Sequence, residues 1–149
     1  MAADGARVWS VWLLPAAYAA AFAAVRAYAV TFQPEMMGNP TGTHIGRVVA
    51  VNGFHVHHIY YGLALLPLAA ALALNARRRR LGLLLGGIAL ALIVDEVGLV
   101  ASGFTEYNHP WTWPLALATG LLLVTASALA SRLAGRGAEL APPTGPRAP

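Results

Sequence analysis

Residues 81–100 read LGLLLGGIALALIVDEVGLV, twenty positions whose only charged members are the adjacent acids Asp95 and Glu96. At 1.5 Å per residue a helix of that length spans roughly 30 Å, the thickness of a bilayer's hydrocarbon core. Backbone polar groups in lipid must be satisfied within their own segment, so a helix is the default. This run extends to about residue 104, and three more lie at about residues 8–32, 56–75 and 111–133. The expected fold is all-α, a four-helix transmembrane bundle forming one domain over residues 1–134. Residues 135–149 are rich in Pro, Gly and Ala and lack periodicity, so a disordered tail is expected there. The first run also has a second reading, as a signal peptide cleaved after Ala27-Tyr28-Ala29, although it is longer than the usual apolar region of such a leader.

Composition agrees with the membrane reading. Of 149 residues, 58% are hydrophobic and 11% charged, and mean hydropathy is +0.59. Soluble domains are roughly 45–50% apolar and about 25% charged, which excludes an ordinary soluble domain. A disordered chain would leave too much apolar surface in water. The net charge of +4 comes from ten arginines and no lysine against six acids. Four of those arginines form the single run Arg77–Arg80, and no basic face interleaved with aromatics exists to track a phosphate backbone, so no nucleic-acid partner is expected. With no cysteine, a metal site must use imidazole, carboxylate, backbone or water.

Orientation follows from the arginines. A short loop bearing Arg77–Arg80 belongs on the cytoplasmic side, which places both chain termini there too and makes this a multi-pass protein of the cell membrane. The loops 33–58 and 105–109 then face outward. Tyr60, Tyr61, Tyr107, Trp111 and Trp113 gather at that outer boundary, where amphipathic aromatics are favoured. The outer loop carries two short runs around Asn52-Gly53, the preferred pair of a two-residue hairpin turn, so a small β-hairpin is expected over 47–57. Gly82 and Gly86 stand at small-xxx-small spacing, suited to close helix packing within the bundle.

Asp95 and Glu96 stand roughly 12 Å below the outer end of their helix. A charged side chain near the membrane centre costs at least about 2.5–3.5 kcal/mol, so such residues face inward and have partners. His55, His57 and His58 open the preceding helix on the same side of the membrane. If that stretch is extended, His55 and His57 share a face; if it is helical, His55 and His58 do. His44, Glu106 and His109 fall on that side as well, although each also reads as a solvated loop residue, and Arg26 either snorkels outward or pairs with one of the two acids.

Three chemistries use such a set. The first is a zinc or iron site with His55, His57, His58 and Asp95 as ligands and Glu96 as general base. A metal-bound water there would attack a lipid-like ester or amide. The second is a proton relay. The third is a hydrogen-bonded staple tying the outer loop to the acidic helix in a non-enzymatic structural or accessory protein. A transporter of four short helices would require a second copy or a partner subunit.

The strings FHVHHIYYG at 54–62 and ALIVDEVG at 91–98 resemble a group of small prokaryotic integral membrane proteins. In these a His-x-His-His motif opens one helix and an Asp-Glu pair lies near the end of the next. The resemblance covers about Thr43 to Trp113 and implies that the five residues act as a unit.

The topology has a direct test. The chain lacks cysteine, so Asn75→Cys and Thr43→Cys each report one site. An impermeant thiol reagent applied to intact cells is expected to label Thr43→Cys and spare Asn75→Cys; the reverse pattern inverts the orientation.

Overall fold

In the computed structural model, four helices occur among the described residues: α1 Leu13–Met36, α2 His58–Leu74, α3 Arg79–Ala101 and α4 Thr112–Glu139. The structure describes residues 10–36, 44–45, 49–51, 54–102 and 110–139, with side chains for 10–28, 56–102 and 110–136. Arg79–Ala101 and Thr112–Arg136 are long and apolar enough to cross a membrane, while Leu13–Tyr28 and His58–Leu74 are shorter apolar helices.

Prolines fix several boundaries. Pro15 and Pro114 lie in the first turns of α1 and α4, where the missing N–H is not needed. Pro67 lies inside α2. The expectation of a disordered tail from residue 135 is corrected at its start, because α4 continues to Glu139. Ala134, Arg136, Ala138 and Glu139 are good helix formers, and Pro142-Pro143 supplies a stop just beyond. Residues 140–149 lie outside the described set.

Between α1 and α2 stand three short strands, β1 His44–Ile45, β2 Val49–Val51 and β3 Phe54–His55. They pair antiparallel in the order β1-β2-β3. Val51 faces Phe54 and Ala50 faces His55 across the two-residue connection at 52–53. The strands thus form where a hairpin is expected from Asn52-Gly53, and β1 adds a third strand, with His44 opposite Ala50.

Helix α3 is the centre of the bundle. It packs extensively on α2 and α1, while α4 leans more lightly on α1 and α3. Glycine makes that central position feasible. A Cβ on Gly82 would lie 2.2 Å from the Ala73 backbone nitrogen on α2, and one on Gly87 would lie 2.5 Å from the Leu14 carbonyl on α1. Both obstacles are backbone, which a rotamer change cannot relieve. A Cβ on Gly86 would lie 3.3 Å from Leu14 Cδ1, so the small-xxx-small pair is used inside the bundle.

Beside these contacts Tyr18, Phe22, Ala91, Val94 and Ala116 form a core cluster. Phe22 meets Trp113 edge-on at 5.7 Å. Two hydroxyls tie α4 to α1 and its approach: Tyr18 donates to the Ala116 carbonyl at 2.9 Å and Ser127 to the Val11 carbonyl at 3.0 Å.

Forcing a methyl between packed backbones costs about 1–3 kcal/mol or more. Gly87→Ala is therefore expected to lower thermal stability in detergent clearly, while Gly135→Ala, which meets nothing within 4 Å, leaves it unchanged or slightly raised. Equal midpoints for Gly87→Ala and the parent would contradict the close α1–α3 approach.

Candidate functional site

The local fold around the histidines decides which of them meet the acids. Strand β3 ends at His55, His57 is extended with φ −71° and ψ 145°, and α2 begins at His58. The backbone thus changes from extended to helical between two consecutive histidines. Neither periodicity considered for the motif applies on its own. The junction turns His57 and His58 toward α3 together.

There they meet Asp95 and Glu96, which are 0% and 2% exposed. Each carboxylate oxygen has a partner. Arg26 of α1 donates from Nε to Asp95 Oδ1 and from Nη2 to the Asp95 backbone carbonyl at 2.8 Å. His58 Nε2 lies 2.8 Å from Asp95 Oδ2. His57 Nδ1 lies 3.0 Å from Glu96 Oε1. Glu96 Oε2 accepts the Ile59 backbone N–H at 2.8 Å. The second ring nitrogen of His58 lies 3.3 Å from Glu96 Oε1, so this imidazole faces both acids.

The Ile59 contact explains a feature of α2. Its N-cap His57 makes no side-chain cap hydrogen bond, and the first N–H groups of any helix lack intrahelical partners. Glu96 supplies an acceptor from the neighbouring helix and places a negative charge at the positive end of the α2 dipole. Nothing in the sequence signals such a cap, because donor and acceptor are 37 positions apart.

Arg26 is 4% exposed, and its guanidinium carbon sits 5.8 Å over the Phe22 ring. Of its two sequence readings, snorkelling outward or pairing with an acid, the structure shows the pairing. His58 turns its two ring nitrogens toward different carboxylates. The tyrosine ring of Tyr60 packs edge-on to His57 at 6.4 Å.

His57, His58, Asp95, Glu96 and Arg26 are therefore brought together. His55 ends β3, but its side chain lies outside the described set, as does that of His44 in β1. Glu106 and His109 are outside the described residues altogether. Among the described residues no group of three or more His, Asp or Glu side chains is disposed to hold a metal ion. Zinc ligation needs nitrogens and oxygens converging at about 2.0–2.2 Å on one point. Here the ring nitrogens and carboxylate oxygens face one another at hydrogen-bond distance.

Comparison with known protein families, with characterised proteins and with solved structures finds no match.

Breaking a buried ion pair from one side costs about 3–5 kcal/mol, because the other charge is left uncompensated. Asp95→Asn and Arg26→Met are each expected to destabilise the detergent-solubilised protein by that order. The double variant Arg26→Met/Asp95→Asn is expected to be less harmful than their sum, measured as unfolding midpoints. Strict additivity would mean that the two side chains do not depend on each other.

Proposed function

We propose that this chain is a multi-pass membrane protein in which Arg26, His57, His58, Asp95 and Glu96 form a hydrogen-bonded clamp. The clamp holds the outer loop and the start of α2 against α3 and α1. On this reading the protein is a non-enzymatic structural or accessory component of the membrane. The observation that carries it is the complete engagement of the two carboxylates, with all four oxygens within hydrogen-bond distance of nitrogens from α1 or from residues 57–59.

The membrane part of the reading is supported by α4. Leu117, Leu121 and Leu122 are 71%, 69% and 67% exposed, and Leu129 and Leu133 are exposed as well. In water that would be a large contiguous apolar face, which monomeric soluble proteins avoid. In a bilayer it faces acyl chains. The buried acid pair belongs to the same reading, since ionisable groups inside a membrane bundle face inward and pair.

A second reading is favoured by one contact pattern. An imidazole between two carboxylates, as His58 is, can take a proton from one side and release it to the other. That arrangement suits a proton relay, with the clamp geometry as its resting state. The zinc or iron reading, with a lipid-like substrate, is the rival that the following experiment separates from both.

The test is metal content of the detergent-purified, untagged protein and of the variant His57→Gln/His58→Gln. Glutamine keeps a donor but is a poor zinc ligand. The clamp predicts no stoichiometric zinc or iron in the parent. It also predicts a variant that still folds, with a stability loss of about 1–3 kcal/mol for each lost bond to a charged acid. One metal per chain in the parent, absent from the variant, would overturn the clamp in favour of a metal centre.

A further inference from the structure

Far from the acid cluster, the turn between α2 and α3 concentrates positive charge. Arg77, Arg78, Arg79 and Arg80 are all exposed, and among the described side chains no carboxylate pairs with any of them. The described acid side chains on α3, Asp95 and Glu96, are fifteen or more positions further on, roughly 23 Å along the helix axis. The turn itself is tight: the Arg77 backbone N–H donates to Asn75 Oδ1 at 3.0 Å, and Arg78 N–H to the Asn75 carbonyl at 3.0 Å.

The position of these arginines is unusual for a helix. Arg78 is the N-cap of α3, Arg79 and Arg80 begin its first turn, and that turn contains no acid. The N-terminal end of a helix carries about half a positive charge of its own and favours anions. Three guanidinium groups at that end repel it and one another unless an anion lies among them. Orientation in the membrane accounts for a basic loop, but it does not require three guanidinium groups at a helix N-terminus with a fourth just before it.

The surroundings say which anion fits. Leu74 is 89% exposed just before the turn, and Leu81 and Leu84 are 48% and 38% exposed just after it. The cationic patch is thus bordered by exposed apolar side chains along both helices. A ligand matching this surface has a negatively charged phosphodiester head and apolar chains continuing down the leucines. Cationic side chains near an anionic lipid surface attract its phosphate heads by charge.

We propose that the Arg77–Arg80 turn is a docking surface for the headgroup of an anionic phospholipid, whose acyl chains lie along Leu74, Leu81 and Leu84. The proposal rests on the membrane reading above. Each basic residue near a charged lipid surface contributes roughly fivefold to partitioning.

The test uses the full chain in mixed micelles, with fluorescently labelled phosphatidylglycerol and phosphatidylcholine as probes and anisotropy as the readout. The parent is expected to prefer phosphatidylglycerol by well over 25-fold, at about fivefold for each of four charges. Arg78→Gln/Arg80→Gln is expected to weaken that binding about 25-fold, at two charges and about fivefold each, with phosphatidylcholine binding unchanged. Replacing all four arginines by lysine keeps the charge, so that variant should stay within about fivefold of the parent.

Equal binding of the two lipids by the parent would overturn the proposal. So would a glutamine variant that keeps the preference, or a lysine variant that loses it as fully. Failure of the membrane reading is read separately: a protein recovered from cells without detergent contradicts that reading, whatever the lipid titration shows.

Discussion

Two adjacent carboxylates buried in the central helix are the constraint on which the rest of the bundle depends. Removing a charge from water costs several kcal/mol even after relaxation, and α3 buries two in succession, Asp95 at 0% and Glu96 at 2% exposure. Neither can be compensated from within α3, whose other residues nearby are apolar. Compensation has to come from both flanking elements, and it does. Arg26 arrives from α1, and His57, His58 and the Ile59 N–H arrive from the start of α2. The acid pair therefore fixes the register of three helices at once.

The glycines of α3 complement that device at other levels of the same helix. Gly87 brings the α1 backbone close and Gly82 brings α2 close, so the two helices that supply the partners of the acids are held at short range by packing alone. Polar pairing and close packing then reinforce each other, since a wider helix separation would break both. Helix α4 stands apart from this scheme. It joins through Tyr18, Ser127 and an aromatic contact to Trp113, and most of its leucines face away from the protein.

The helical pattern was legible because hydropathy is a property of long windows: four apolar runs, and four helices among the described residues. The hairpin was legible from a two-residue turn signal. The tail was misread at its start because its Pro, Gly and Ala content without periodicity read as disorder, whereas the helix formers Ala134, Arg136, Ala138 and Glu139 carry α4 to Glu139. At the site, the residues were legible as a group, since buried acids and clustered histidines are expensive in lipid. Their pairing was not. It depends on a change from extended to helical backbone between His57 and His58, on an arginine 69 positions from its acid, and on a backbone N–H capped from another helix. Each is a tertiary relation with no local signature. The same gap separates clamp from metal site, because both use the same residues and differ only in where the lone pairs point.

That difference has a direct spectroscopic readout in the histidine rings. With nitrogen-15 in the imidazoles and the protein in lipid bilayers, solid-state magnetic resonance reports whether each ring nitrogen carries a proton, a lone pair or a metal. The clamp requires both ring nitrogens of His58, identified by its loss in His58→Gln, to be free of metal, with Nε2 correlated to the Asp95 carboxylate. A His58 ring nitrogen shifted by metal ligation would contradict the account at its centre.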